Sequence, residues 1–178
     1  MFSDVEIKIK RKNKIFFSRK SKSLLDLVEL MELQNHRIMV MWALDCASIA
    51  LKNFEDKYPD EKRPRICLEM CDDWARGKVK MPEAKRSILD CHAVVNGIND
   101  SEYQALCHAI GQAGSTIHVK SHALGLPIYE LTAIVLRYGE KDFYKPVSEK
   151  IECYYNRLLY WQDNTDILDF EWAKFLKD

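Results

Sequence analysis

Five side chains in the middle of the chain invite a chemical reading. His108, Gly111, Ser115, His118 and His122 recur at intervals of 3, 4, 3 and 4 residues, which on one helix would set them along a single face. Gly111 and Ser115 are small enough to let a second helix come close, so the imidazoles would meet that neighbour's side chains. His118 and His122 also stand four apart, a spacing that lets two imidazoles reach one metal ion. The zincin pattern needs a glutamate directly after the first histidine, and Val119 occupies that place, so a metalloprotease is excluded. Two readings stay open. The histidines are hydrogen-bonded in a helix seam with no cofactor, or they form a metal centre with His92 or the Cys67/Cys71 pair as further donors.

Asp45 is the second candidate. It sits within an almost wholly apolar stretch, beside Trp42 and Ile49 on the same helical face. A carboxylate there must be paired or hydrogen-bonded, because an isolated buried charge costs several kcal/mol or more. Arg63, Arg65 and a seam histidine are its candidate partners. A structural ion pair is one reading, and a general base in a pocket is the other. Nothing supplies an obvious second catalytic carboxylate. GxSxG and GxGxxG are absent, and only six glycines occur, which argues against a nucleotide-cradling loop and against the common enzyme classes.

Helices must position these residues. Leu24, Leu27, Val28 and Met31 form a first apolar stripe, and residues 35–55 form a second helix apolar almost all round, the mark of a helix surrounded by others. Pro64 suits the first turn of a helix that Gly77 closes, and Pro82 opens another that ends at Gly97. Capping-box spacing at Asn99/Glu102 and Ser101/Gln104 predicts a long helix from about residue 100 to Gly125. A segment from Ile128 to Tyr138 is stopped by Gly139. After Pro146 one more helix is expected, then a short terminal one carrying Leu168, Trp172 and Phe175. The expectation is an all-α fold: a single domain of about eight helices over residues 23–178, mostly antiparallel neighbours, with C-terminal helices in 146–178.

Residues 1–22 stand apart as a basic arm. Eight lysines and arginines against Asp4 and Glu6 leave it at +6, so residues 23–178 carry −6, since the whole chain has 27 of each sign. Partial alternation of Val5, Ile7, Ile9, Ile15 and Phe17 reads as a small hairpin or an extended arm. With only Phe16 and Phe17 available to stack bases, the arm is read as solvated or docked on its own body rather than as a nucleic-acid contact. The six cysteines lie within apolar helical patterns without any CxxC pair, and are read as reduced core thiols. No apolar run is long enough for a membrane span or of signal-peptide kind, so the expected address is cytoplasmic. Nine of the 19 aromatic residues fall in residues 143–178; most should dock the last helices, and an exposed subset beside Asp163, Asp166 and Asp169 would suit a basic partner.

Taken in order, Trp42-Ala43-Leu44-Asp45-Cys46-Ala47, Phe54-Glu55, Arg63-Pro64-Arg65, Trp74-Ala75-Arg76-Gly77, Cys91-His92-Ala93, Ile117-His118-Val119-Lys120-Ser121-His122-Ala123 and Tyr129 resemble the immunity-five-like helical domain associated with bacterial polymorphic toxin systems. The resemblance spans roughly residues 35–138, with a fainter echo at Trp161-Gln162. Cys67 and Cys71 lie outside the pattern, which weakens a metal site built on them, and Val94, Val95 and Ile117 are bulkier than its Ala-rich positions. The resemblance implies a small intracellular protein that binds a cognate toxin and blocks it without catalysis. Under it, Asp45, Arg63, Arg65, His92, His118 and His122 would form one buried polar network where helices cross.

Overall fold

The computed structural model describes residues 1–177. Its eight α-helices are α1 (Ser3–Lys10), α2 (Leu25–Leu33), α3 (His36–Lys57), α4 (Arg63–Ala75), α5 (Met81–Ala93), α6 (Ser101–Ser115), α7 (Gly125–Asp142) and α8 (Tyr144–Asn164). Short 3-10 turns adjoin them, and no strand occurs among the described residues. None of these helices is long and apolar enough to cross a membrane.

Local chemistry sets most boundaries. Asn35 caps α3 by accepting from the Ile38 amide at 2.9 Å, satisfying one of the donors every helix start leaves open. Asp100, rather than Asn99 or Ser101, caps α6 by accepting from Glu102 N at 3.1 Å. Pro64 occupies the first turn of α4, and Gly77 turns the chain away from it at φ +75°, a conformation in which a side chain would be strained. Gly139 does the same to α7 at φ +77°. The helical ladder resumes briefly beyond it before α8, so the expected stop after Tyr138 is a sharp break.

Two helices organise the core. α3 buries residues on several faces, among them Met39, Trp42, Ala43, Cys46 and Phe54, and packs against α4, α6, α7 and α8. α6 buries Ala105, Ala109, Gly111, Ala113 and Gly114 and touches α3, α4, α5 and α7. Small side chains allow one helix that many neighbours. Trp42 is fully enclosed, with its indole donating to the Tyr154 carbonyl at 3.0 Å.

Three expectations need correction. The N-terminal segment is not a hairpin: Ser3–Lys10 is helical. Phe2 and Val5 go into the core, and Phe2 stands edge-on to Phe143 at 5.7 Å. A distant docking surface therefore overrides a local alternation of period 2. Phe16 and Phe17, in the extended piece that follows, are also buried, so the arm is docked by its apolar residues while most of its lysines stay outside. Second, the long helix expected over 100–125 is two elements, because α6 stops at Ser115 and a 3-10 turn spans Lys120–Leu124. Ser115 Oγ and Thr116 Oγ1 each donate back to the carbonyl four residues earlier, Gly111 and Gln112 respectively. Such bonds, followed by the β-branched Thr116, Ile117 and Val119, weaken continuation. Third, the expected terminal helix is reduced to a 3-10 turn at Lys174–Leu176.

Candidate functional site

A cleft of about 280 Å³ opens where α4, α5 and α6 meet the loop after α6. Trp74, Lys85, His92, Gln112, His118 and His122 line it, with Met81, Ile88 and Leu89 giving it an apolar side. His118 and His122 do not share an α-helical face, as the i,i+4 reading required. His118 lies in the turn, its amide bonded to the Ser115 carbonyl at 3.1 Å, and His122 lies in the 3-10 turn. Folding brings them together with His92 by another route.

Each imidazole has an internal partner. His92 Nδ1 and His108 Nδ1 are 3.0 Å apart, so one donates and the other accepts, and both rings cannot carry a proton on these atoms. Burial pushes both below the ordinary imidazole value, with the mutual proximity adding to the effect on His108. Tyr129 lies against His108 at 5.1 Å. His122 Nδ1 donates to Gln112 Oε1 at 3.0 Å, and His118 stacks on Trp74 at 6.0 Å between ring centres. Gly111 is required here: a Cβ at that position would stand 2.5 Å from His92 Cε1.

Under this cleft lie the thiols of Cys67, Cys71 and Cys91, all buried and free. A Cβ on Gly114 would come within 2.8 Å of Cys71 Sγ and 3.2 Å of Cys67 Sγ, so the sulfurs fill the space that the glycine leaves. Shared hydrogen bonding with Cys67, followed by burial, pushes Cys71 and Cys91 well above the usual thiol value. Among the described residues no three His, Cys, Asp or Glu side chains are grouped so as to hold a metal ion. His118, His122 and His92, on which the metal reading was built, form no such group.

The single polar network expected from Asp45, Arg63, Arg65 and the histidines is not formed. Asp45 faces α8, where Arg157 Nε donates to it at 2.7 Å and Trp161 Nε1 at 2.8 Å; its side chain is 28% exposed. Arg63 pairs with Glu61, through Nε at 2.8 Å, and Arg65 pairs with Glu55. Position 45 on α3 looks towards α8 and away from the first turn of α4, which is why neither arginine reaches it.

Sequence reasoning missed one acid altogether. Glu130 of α7 is 2% exposed, and it is held by Lys150 Nζ at 2.7 Å and by the Tyr154 hydroxyl. Burial first, then the Glu130 charge, pushes Tyr154 well above the usual phenol value. A signal existed: Lys150/Tyr154 and Arg157/Trp161 are both i,i+4 donor pairs on α8, and each pair closes on one carboxylate of a neighbouring helix. α8 therefore carries two clamps of the same design, one gripping α7 and the other α3.

The residues behind the family resemblance now have places. Trp74, His92, His118 and His122 come from three separate segments into one cleft, and Asp45 joins α3 to α8. The family described as Imm-5 like putative immunity protein matches residues 29–157. The chain belongs to this family. The match runs from the second half of α2 into α8, wider than the 35–138 that the motifs span, and takes in Glu130 with its clamp. No curated protein and no solved structure matches the chain.

Proposed function

We propose that this Imm-5 like protein neutralises a cognate bacterial toxin in the cytoplasm by binding it, without catalysis. The observation that carries this reading, beside the family membership, is that most of the polar groups which could have done chemistry are engaged with one another, His118 being stacked on Trp74 instead. Asp45 is clamped by Arg157 and Trp161, His92 faces His108, and His122 is tied to Gln112. A general base needs a lone pair aimed at a proton to remove; here Asp45 is turned to two donors on α8, and His92 and His108 turn their Nδ1 atoms to each other, contacts that fix how helices cross. Inhibition then follows from steric cover and charge. The −6 carried by residues 23–178 favours capture of a basic toxin and speeds the encounter.

Co-expression with the product of an adjacent toxin gene, in a host that the toxin kills, tests the proposal. Growth should be restored, and the two purified proteins should form a stoichiometric complex that leaves the toxin intact. Continued killing with no complex would overturn it, and so would rescue in which the toxin is chemically processed.

A further inference from the structure

A second concavity lies away from the histidine cleft. A groove of about 680 Å³ runs between α2 and α8. Its apolar lining includes Leu30, Ile151 and Tyr155, and Leu33 stands at one side with 82% of its surface exposed. Asp26, Glu29 and Glu152 are its acids, Met1 also borders it, and no lysine or arginine side chain lines it. None of those three acids is in a salt bridge among the described residues, whereas neighbouring acids are: Glu32 pairs with Arg19 and Glu149 with Lys145. Further along α8, Leu159 and Asp163 continue the outer row that starts at Glu152, at helical spacing. An apolar strip edged by unpaired carboxylates is complementary to a segment with apolar side chains flanked by lysine or arginine.

The groove also falls across the boundary of the family match. Ser23, Asp26 and Leu27 precede residue 29, where the match begins, while the α8 wall lies inside it. The histidine cleft lies wholly inside. One wall of the groove thus lies partly outside the residues that the family model matches.

We infer that the α2/α8 groove is the face that captures the toxin, and that it receives a basic, apolar segment of it. This rests on the immunity reading, and deepens it by naming the surface and the chemistry of its partner. The rim acids steer and orient the segment, and Leu30, Leu33 and Tyr155 receive its apolar side chains. The histidine cleft stays outside the contact.

Two probes test this on the full-length protein: a synthetic amphipathic helix of leucine and lysine, and the toxin itself in an inactivated form. The variants are Glu29→Lys with Glu152→Lys, and a control, Asp56→Lys, near the far end of α3. With the peptide, NMR shifts should centre on Leu33 and Tyr155, saturate, and weaken at high salt. They should vanish in the double variant and persist in the control. Toxin affinity should fall about tenfold or more in the double variant alone. If the toxin binds wild type and the double variant equally, the groove assignment fails while the immunity reading stands. If the peptide fills the groove and the toxin binds nowhere, the immunity reading fails and a basic-peptide site remains. Peptide shifts elsewhere, or equal in all three proteins, overturn the groove as a basic-segment site. Self-association abolished by the double variant would make the occupant a second copy and overturn the inference too.

Discussion

The two sides of α3 are held together by different physics. On the α8 side, Asp45 and Glu130 are each gripped by two donors four residues apart. On the α4–α5–α6 side the inward groups are thiols, imidazoles and bare glycine backbone, with His92 against Gly111 and Cys71 against Gly114. Charge fixes the first contact, and close approach fixes the second. The first should fail when a charge loses its partner, and the second when an atom is added. Neither failure should resemble the other in its response to salt or to pH.

The strongest test of that contrast is Glu130→Ala, which strands the nearly buried Lys150 ammonium and the Tyr154 hydroxyl. Breaking such a buried pair from one side costs about 3–5 kcal/mol, to be read from urea unfolding. Glu130→Leu combined with Lys150→Met should recover most of the loss, because it removes both charges; failure to recover would mean that the clamp supplies more than compensation. Next is Gly114→Val, which drives carbon into the thiol cluster and should cost about 1–3 kcal/mol through overpacking. Adding Cys71→Ala should relieve part of that penalty, and no relief would break the claim that sulfur and glycine share one space.

Asp45→Asn is milder, at about 1 kcal/mol, because Asp45 is partly solvated and asparagine still accepts from the Trp161 indole. The smallest effect is a pH slope. His92 and His108 lie below the ordinary value of 6.5 in the folded protein, so the unfolded chain binds more protons as pH falls through that value. Stability should therefore decline from neutral pH downwards and level off once the folded-state values are passed. Replacing both histidines with asparagine should flatten that slope. An equal slope in the double variant would assign it to other groups.

Much of the helical plan was legible because glycine and proline mark it locally: Pro64 in the first turn of α4, Gly77 after its end and Gly139 within α7. The partners of the polar residues were not. Asp45 meets Arg157 112 positions along the chain, and nothing in a helical period says which neighbour a face will find. The N-terminal helix was missed for the same reason, since Phe2 finds Phe143 and Tyr144 only in the folded molecule. The end of α6 was closer to hand: Ser115 and Thr116 followed by β-branched residues is a local stop that the regular spacing of the histidines obscured. His92, His118 and His122 line one cleft, the last two from a turn and not from one helix face.

The segment after α8 crosses back over the end of α4. The Ala173 amide donates to the Ala75 carbonyl at 2.7 Å, Arg76 lies over the Phe170 ring at 3.9 Å, and Phe175 covers Trp74. Trp172 is buried in the same strap. Two of the four tryptophans therefore sense whether this strap is seated, and Trp74 is at the same time a wall of the histidine cleft. Lifting the strap would wet both indoles and shift their emission to the red, giving a built-in optical gauge of that corner of the protein with no label attached.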